Sequence, residues 1–106
     1  MITYEQFKEI ELRIGKISDA ARVEGSEKLL KLGISLGEET RVIVAGIGKK
    51  YTPEELIGKE IVLVANLAPK ALMGMESQGM LLAADSEEGP VLLMPDREVP
   101  PGSEIK

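Results

Sequence analysis

The sequence contains neither cysteine nor histidine. Without cysteine the chain has no disulfide framework, no thiolate zinc site and no thiol nucleophile, which fits a reducing compartment and makes the cytoplasm the default location. Without histidine, any general base would have to be a carboxylate or an amine with a strongly shifted pKa. No group of residues has the spacing of metal ligands. The sequence therefore predicts no catalytic residues, no metal and no cofactor.

Long apolar runs are also absent, and aromatic residues are scarce. No run approaches the ~18 apolar residues that span a bilayer, and the first residues lack the basic start and apolar core of a signal peptide. We therefore expect a soluble protein that does not contact membranes. Only Tyr4, Phe7 and Tyr51 are aromatic. The chain thus has no stacking platform of the kind that binders of single-stranded nucleic acids use.

Basic residues are fewer than acidic ones: the chain has 13 Lys and Arg against 18 Asp and Glu, and its net charge is −5. Unselective nucleic-acid binding depends on phosphate neutralisation by lysine and arginine, so this balance argues against it. RNA contact would need a local basic face. The cations that neighbouring strands could collect on one side are Lys28, Lys31, Arg41, Lys49, Lys50 and Lys70. A solvated surface with interspersed charge explains them equally well.

A length of 106 residues predicts a single domain over residues 1–106. A short N-terminal helix is expected because Thr3 can cap it and Gln6 can return the capping-box bond. A second compact helix is expected over residues 52–58. There Thr52 is the N-cap, Pro53 occupies the first position, Glu55 completes a capping box and a glycine stops the helix.

Alternation of apolar and polar residues predicts the strands. They fall at residues 12–17, 30–36, 40–45, 60–66, 79–84 and 91–94. Gly15 breaks the first alternation, which suggests a bulge that bends a long strand. Short strands with a helix between the third and the fourth indicate an all-β OB-fold, a five-stranded barrel with a short N-terminal helix. A different small barrel or a sandwich is the alternative.

Several strands are apolar on both faces, for example residues 42–44, 61–65 and 91–94. A barrel of this size has only one interior, so loops and helices or a second copy of the chain must cover the outer apolar surface. We favour a symmetric homodimer over a monomer on this ground.

The stretch 74–82, with sequence GMESQGMLL, places two glycines and a serine directly before an apolar run. Glycines can bring backbone groups close to a ligand, so the stretch is either a recognition edge or a plain connection. Ser77 does not lie in a G-x-S-x-G motif and has no histidine partner, which argues against a catalytic serine. Residues 46–50 resemble a phosphate loop, but their spacing is not that of a Walker motif.

A set of short motifs covers nearly the whole chain. They occupy residues 12–17, 28–32, 44–47, 51–59, 64–70, 73–82 and 95–97. Together they resemble the tRNA-binding domain family, which includes the C-terminal domain and the beta subunit of methionyl-tRNA synthetase, a stand-alone structure-specific tRNA-binding protein and EMAP-II-like domains. The resemblance implies a non-catalytic OB-fold homodimer, paired through the N-terminal helix and the late strands or tail. It also implies that the dimer holds tRNA by its L shape and assists a synthetase catalytic subunit.

The resemblance also implies which residues face the RNA. They are Lys28, Lys31, Asn66, Lys70, Ser77, Gly79 and Met80, to which we add Arg41 as a cation of the third predicted strand. The lysines are expected to meet phosphates, Asn66 and Ser77 to meet sugar or base edges, and Met80 to pack against an exposed base. Recognition of this kind depends on shape and backbone contacts more than on stacking.

A dimeric OB-fold family of export chaperones, which bind unfolded peptides in apolar grooves, is the alternative. It shares the helix T-P-E-E-L and the proline-glycine tail. Residues 66–70 and 76–80, however, resemble the tRNA binders more closely.

Overall fold

The computed structural model describes residues 1–106. Its elements are α1 (Tyr4–Lys8), β1 (Leu12–Arg22), β2 (Leu30–Ser35), β3 (Thr40–Ala45), α2 (Pro53–Leu56), β4 (Glu60–Val64), β5 (Lys70–Leu72), β6 (Met75–Ser77), β7 (Met80–Leu81), β8 (Ala83–Ser86) and β9 (Gly89–Leu92). Neither helix has the length and apolar character needed to cross a membrane. Strands dominate, and α2 lies between the third and fourth of them, as the sequence predicts.

The main sheet has five antiparallel strands in the order β3-β2-β1-β4-β7. Residues 12–16 of β1 pair with β4, and residues 16–22 pair with β2. This division lets one long strand serve two neighbours, so the sheet curls into a nearly closed barrel. The Gln78 N–H donates to the Val42 carbonyl at 2.8 Å and joins the two sheet edges. The predicted five-stranded OB-fold is confirmed.

The predicted bulge at Gly15 is wrong. Gly15 pairs regularly with Ile61, whereas the register of β1 against β2 shifts at Ser18, between Ile17 and Asp19. Gly15 has a packing role instead, because a Cβ atom built on it would lie 2.8 Å from Leu63 Cδ2 in the barrel interior. A side chain at this position would overpack the core.

The late strands are shorter and more numerous than the alternation predicts. The expected strand at 79–84 is divided into β7 and β8, and the stretch before it contributes the separate β5–β6 hairpin. The last expected strand, at 91–94, begins earlier as β9 and pairs with β8. The stretch 74–82 is therefore largely strand, arranged around the tight turn at Gly79.

The core consists of aliphatic side chains from the five-stranded sheet and α2. Its fully buried members are Ile17, Leu30, Leu32, Ile34, Ile43, Leu56, Ile61 and Leu63. The alternating apolar set predicted in β2 points inward, as expected. Leu56 enters the core because α2 is capped as predicted: the Thr52 N–H donates to Glu55 at 2.8 Å, and the Glu55 N–H donates to Thr52 at 3.4 Å.

The outer face of the barrel is partly covered by the C-terminal residues. Ile14 is buried but lies outside the core cluster, and its N–H donates to the Ser103 carbonyl at 2.9 Å. The Gly102 N–H returns a bond of 2.7 Å to the Ile14 carbonyl. Other outer residues stay exposed, and α1 has no buried residue. The exposed apolar side chains near the chain start and after β9 are Met1, Ile2, Tyr4, Phe7, Ile10, Leu93 and Met94.

Candidate nucleic-acid interface

A cleft of about 270 Å³ lies between β3 and the β5–β6 hairpin, and we call it the hairpin cleft. It is lined by Ile43, Val44, Ala45, Gly46, Leu67, Ala68, Lys70, Leu72, Ser77, Gly79, Met80 and Leu81. Most of these residues are apolar, and Lys70 is the single cation among them. Four predicted RNA-facing residues therefore line one cleft, namely Lys70, Ser77, Gly79 and Met80.

Ser77 lies at the base of the cleft with 5% of its surface exposed. Its hydroxyl accepts a hydrogen bond of 3.0 Å from the Val44 N–H and donates one of 3.2 Å to the Gly79 carbonyl. The hydroxyl thus takes the place of a backbone group between β3 and β6. Ser77 positions the hairpin, and its hydrogen-bonding capacity is already used within the fold.

Gly79 permits the sharp turn that follows. Its φ of +135° lies in a region that favours glycine, and a Cβ atom would lie 2.8 Å from the Val64 carbonyl oxygen. The preceding Gln78 bonds to Val42 in both directions, because its side-chain Oε1 also accepts from the Val42 N–H at 3.0 Å. Residues 77–79 therefore seal the gap between the two edges of the barrel.

Met80 and Lys70 present free side chains at the cleft. Met80 is 49% exposed on β7, and Lys70 is exposed on β5 opposite Ser77. An apolar cleft with an ammonium group at its rim fits a ligand that combines a flat uncharged part with an anionic part. A nucleotide has this chemistry.

Lys28 and Lys31 border the same cleft from the β2 side. Lys31 is exposed on β2 and pairs in register with Val44, a lining residue. Lys28 lies over Gly46, since a Cβ atom built on that glycine would lie 2.9 Å from Lys28 Cε. The absence of a side chain at Gly46 therefore leaves room for the Lys28 side chain. The sequence analysis does not predict this packing role of Gly46, because no local pattern shows which distant side chain will pack over a glycine.

Arg41 and Asn66 lie in a neighbouring shallow depression of about 560 Å³ that shares the wall formed by Leu67 and Ala68. The Arg41 guanidinium donates to the Ala65 carbonyl and forms an ion pair of 3.1 Å with Glu39. Its charge is thus partly neutralised by the protein.

Asn66 is similarly engaged. Its Oδ1 accepts from the Glu11 N–H at 2.8 Å, and its Nδ2 donates to the Glu9 carbonyl at 2.6 Å. These bonds hold the connection between α1 and β1. The structure therefore brings Lys28, Lys31, Lys70 and Met80 to one open surface, which we call the lysine face. It places Arg41 and Asn66 beside that face with their polar groups occupied.

Acidic side chains and shifted pKa values lie outside the hairpin cleft. No three acidic side chains come close enough together to hold a metal ion. The hydrogen bond to Glu11 raises the pKa of Arg13, and the hydrogen bond from the Thr52 backbone lowers the pKa of Glu55, but neither residue lines the cleft. What the cleft provides is shape, apolar surface and nearby positive charge.

The chain is similar over nearly its whole length to other proteins. It is 55% identical over 104 residues, 98% of its length, to the methionine–tRNA ligase of Caldanaerobacter subterraneus, of which it spans 16%. A crystal structure of a MetRS related protein from Pyrococcus horikoshii superposes with a TM-score of 0.93 at 37% identity, covering 100% of this chain and 98% of that one. The chaperone CsaA from Bacillus anthracis superposes with a TM-score of 0.91 at 35% identity, covering 100% and 99%.

Residues 12–104 match the family described as a putative tRNA binding domain. This match covers every strand of the barrel and all residues of the lysine face. The resemblance noted in the sequence motifs is confirmed, and the chain belongs to the tRNA-binding domain family.

Proposed function

We propose that this chain binds tRNA through the lysine face, with the lysines on phosphates and Met80 against an exposed base. The observation that carries the proposal is the placement of three unpaired ammonium groups around one apolar cleft. All four ion pairs in the chain involve arginine, so Lys28, Lys31 and Lys70 are free to meet an anionic partner. Membership of the tRNA-binding domain family supports RNA as that partner.

The manner of binding follows from what surrounds the cleft. None of the three aromatic residues lines it, so stacking on aromatic rings contributes little. Contacts with phosphates, 2′-hydroxyls and the overall shape of a folded RNA supply the rest. Because the net charge is −5, attraction is confined to the lysine face and should weaken as salt screens it.

We further propose that residues 1–106 act as one unit, in the cytoplasm and as a homodimer, to bring tRNA to the catalytic part of a methionyl-tRNA synthetase. The synthetase part of this proposal rests on the ligase relatives. The dimer rests on the exposed apolar side chains of Tyr4, Phe7 and Ile10 beside a groove of about 480 Å³. A second copy would cover them and present two lysine faces to one RNA, which raises the effective concentration of the second contact.

Titration of several unrelated tRNAs at two salt concentrations tests the proposal. The parent should bind them with similar affinity and lose affinity as salt rises. Lys31→Ala should weaken binding several-fold and lower the salt slope by about 1. Lys59→Ala is the matched control, because Lys59 lies near the Tyr51 ring, 5.8 Å from its centroid, and does not line the cleft. Absence of binding, or binding that salt does not affect, would contradict the proposal.

Chaperone activity is the second candidate, supported by the likeness to CsaA and by the apolar lining of the hairpin cleft. An extended peptide could place apolar side chains there. The chain should then suppress aggregation of a denatured client, and added tRNA should not compete. Client protection without tRNA binding would favour this candidate over the first.

A further inference from the structure

The tip of the β5–β6 hairpin has an unusual residue at its turn. Leu72 pairs with Met75, so the turn consists of Met73 and Gly74, whose φ angles are 48° and 79°. Two-residue turns with both φ values positive suit hairpins, and they favour asparagine or aspartate followed by glycine. Met73 is the only residue other than glycine with a positive φ in the chain. A bulky side chain in this region is strained.

Packing within the protein offsets little of the strain at Met73. Its side chain is 58% exposed and belongs to no buried cluster. Its methyl group leans over the β1–β2 connection, where a Cβ atom built on Gly25 would lie 3.7 Å from Met73 Cε. That connection also carries Lys28, and Lys70 opens the strand that leads to Met73. Met73 therefore lies at the tip of the hairpin that begins with Lys70, beside the connection that contains Lys28.

We propose that Met73 is a second apolar contact to the RNA, packing its thioether against an unstacked nucleobase at the rim of the lysine face. The inference rests on the proposed tRNA binding. Methionine suits this task because its thioether is flexible and polarizable and packs well on aromatic rings. A base is expected there rather than a phosphate, because Glu24 and Glu27 in the same connection would repel an anion. If Lys28 and Lys70 each bind a phosphate of the RNA, a base of the intervening nucleotides can reach Met73.

Two substitutions distinguish the effect of the Met73 side chain on tRNA affinity from the effect of the strained turn on stability. Met73→Asn should form the turn without strain and raise Tm by roughly 2–6 °C, while tRNA affinity falls by about 2- to 10-fold. Met73→Leu retains both the strain and the apolar contact, so its affinity should stay within about twofold of the parent. A more stable protein that binds less tightly is not expected of a residue with a purely structural role.

Methyl NMR gives a direct readout in the full chain. With ¹³C-methyl methionine, the five methionines report separately, and unlabelled tRNA should move the Met73 methyl signal upfield through the ring current of a base. Met1 precedes α1 and Met94 follows β9, so neither belongs to the hairpin or to the β1–β2 connection, and both serve as internal references that should not move upfield.

Each remaining outcome overturns the inference. If the parent binds tRNA but Met73→Asn binds equally well, or if no upfield shift accompanies binding, Met73 is not a base contact and the proposed function stands. If the parent does not bind tRNA, both proposals fail. If Met73→Asn weakens only the binding of a denatured client, the side chain serves a peptide instead.

Discussion

Ser77 and Asn66 have side chains that the fold itself uses, although both belong to motifs expected to face RNA. Ser77 connects β3 to the turn at Gly79, and Asn66 connects the start of β1 to the end of β4. A motif identifies such positions, but it does not tell which atoms remain free after folding. That depends on distant partners: Val44 is 33 residues from Ser77, and Glu9 is 57 residues from Asn66.

Ser77→Ala should destabilise the protein. The substitution leaves the buried Val44 N–H without an acceptor, so we expect a loss of about 1–3 kcal/mol in the free energy of unfolding, measured with urea. Ser18→Ala is the control, because the Ser18 hydroxyl donates to the Gly33 carbonyl at an exposed site and should change stability by less than about 0.5 kcal/mol. A Ser77→Ala protein with parental stability and weakened tRNA binding would instead make the hydroxyl a direct RNA contact.

At the scale of elements, the regular parts of the chain could be predicted from the sequence and the hairpin could not. The alternation of Leu30, Leu32 and Ile34 predicts β2, and the capping residues predict α2, because both signals are local. β5 and β6 have only three residues each, too few for a periodicity. Their position depends on the distant bond between Ser77 and Val44, which no local pattern contains.

The short strand β7 depends on the turn before it. β7 pairs with β4 through two residue pairs only, so a shift at Gly79 should detach it. Gly79→Ala adds a Cβ atom against the Val64 carbonyl in addition to the unfavourable φ. Gly58→Ala is the matched control, because its φ is +92° but nothing lies within 4 Å of a Cβ there. We expect Gly58→Ala to cost about 1–2 kcal/mol and Gly79→Ala to cost about 1 kcal/mol more in urea unfolding. Equal costs would contradict this account of the turn.

The capping box of α2 predicts a pH dependence. The hydrogen bond from the Thr52 backbone, followed by that from its side chain, lowers the pKa of Glu55 below its ordinary value. A lowered folded pKa gives stability that is present above the unfolded pKa and is lost as pH falls through the folded one. Glu55→Gln should therefore be less stable than the parent at pH 7, and the difference should shrink towards about pH 3.

Urea unfolding at several pH values measures this difference. Glu54→Gln is the control, since Glu54 occupies the same first helical turn without the capping-box bonds. A difference between Glu55→Gln and the parent that stays constant with pH would assign the stability to packing instead of to the carboxylate.

For the whole molecule, the position of charge matters more than its sum. The composition predicts weak attraction to RNA, whereas the barrel brings Lys70 of β5 and the neighbouring pair Lys28 and Lys31 to the borders of one cleft. Pairing of β2 with β3, and of the hairpin with β3 through Ser77, causes this convergence. The family resemblance of the sequence motifs predicts that these lysines face the RNA. It could not tell that Arg41 would be held by Glu39, because their contact depends on the turn between β2 and β3.

The proposed dimer can be tested through Phe7, which is 37% exposed on a helix that has no buried residue. Phe7→Asp should leave the barrel folded, because the core contains no α1 residue. A charge in an apolar contact between copies should separate them, and each monomer would then offer a single lysine face. Sedimentation with and without tRNA should report a dimeric parent and a monomeric variant, with tRNA affinity lowered by about tenfold or more through the lost second contact.

Ile57→Asp is the matched control, because Ile57 is an exposed apolar residue beside α2 that does not line the groove at α1. This variant should stay dimeric and bind tRNA like the parent. A monomeric parent that binds tRNA tightly would refute the dimer and leave the lysine face intact. Dissociation of both variants would place the contact between copies on a wider surface than α1. The groove at α1 and the hairpin cleft share no lining residue, so Phe7→Asp leaves the lining of the cleft unchanged, and its effect on tRNA affinity reports the loss of the second subunit.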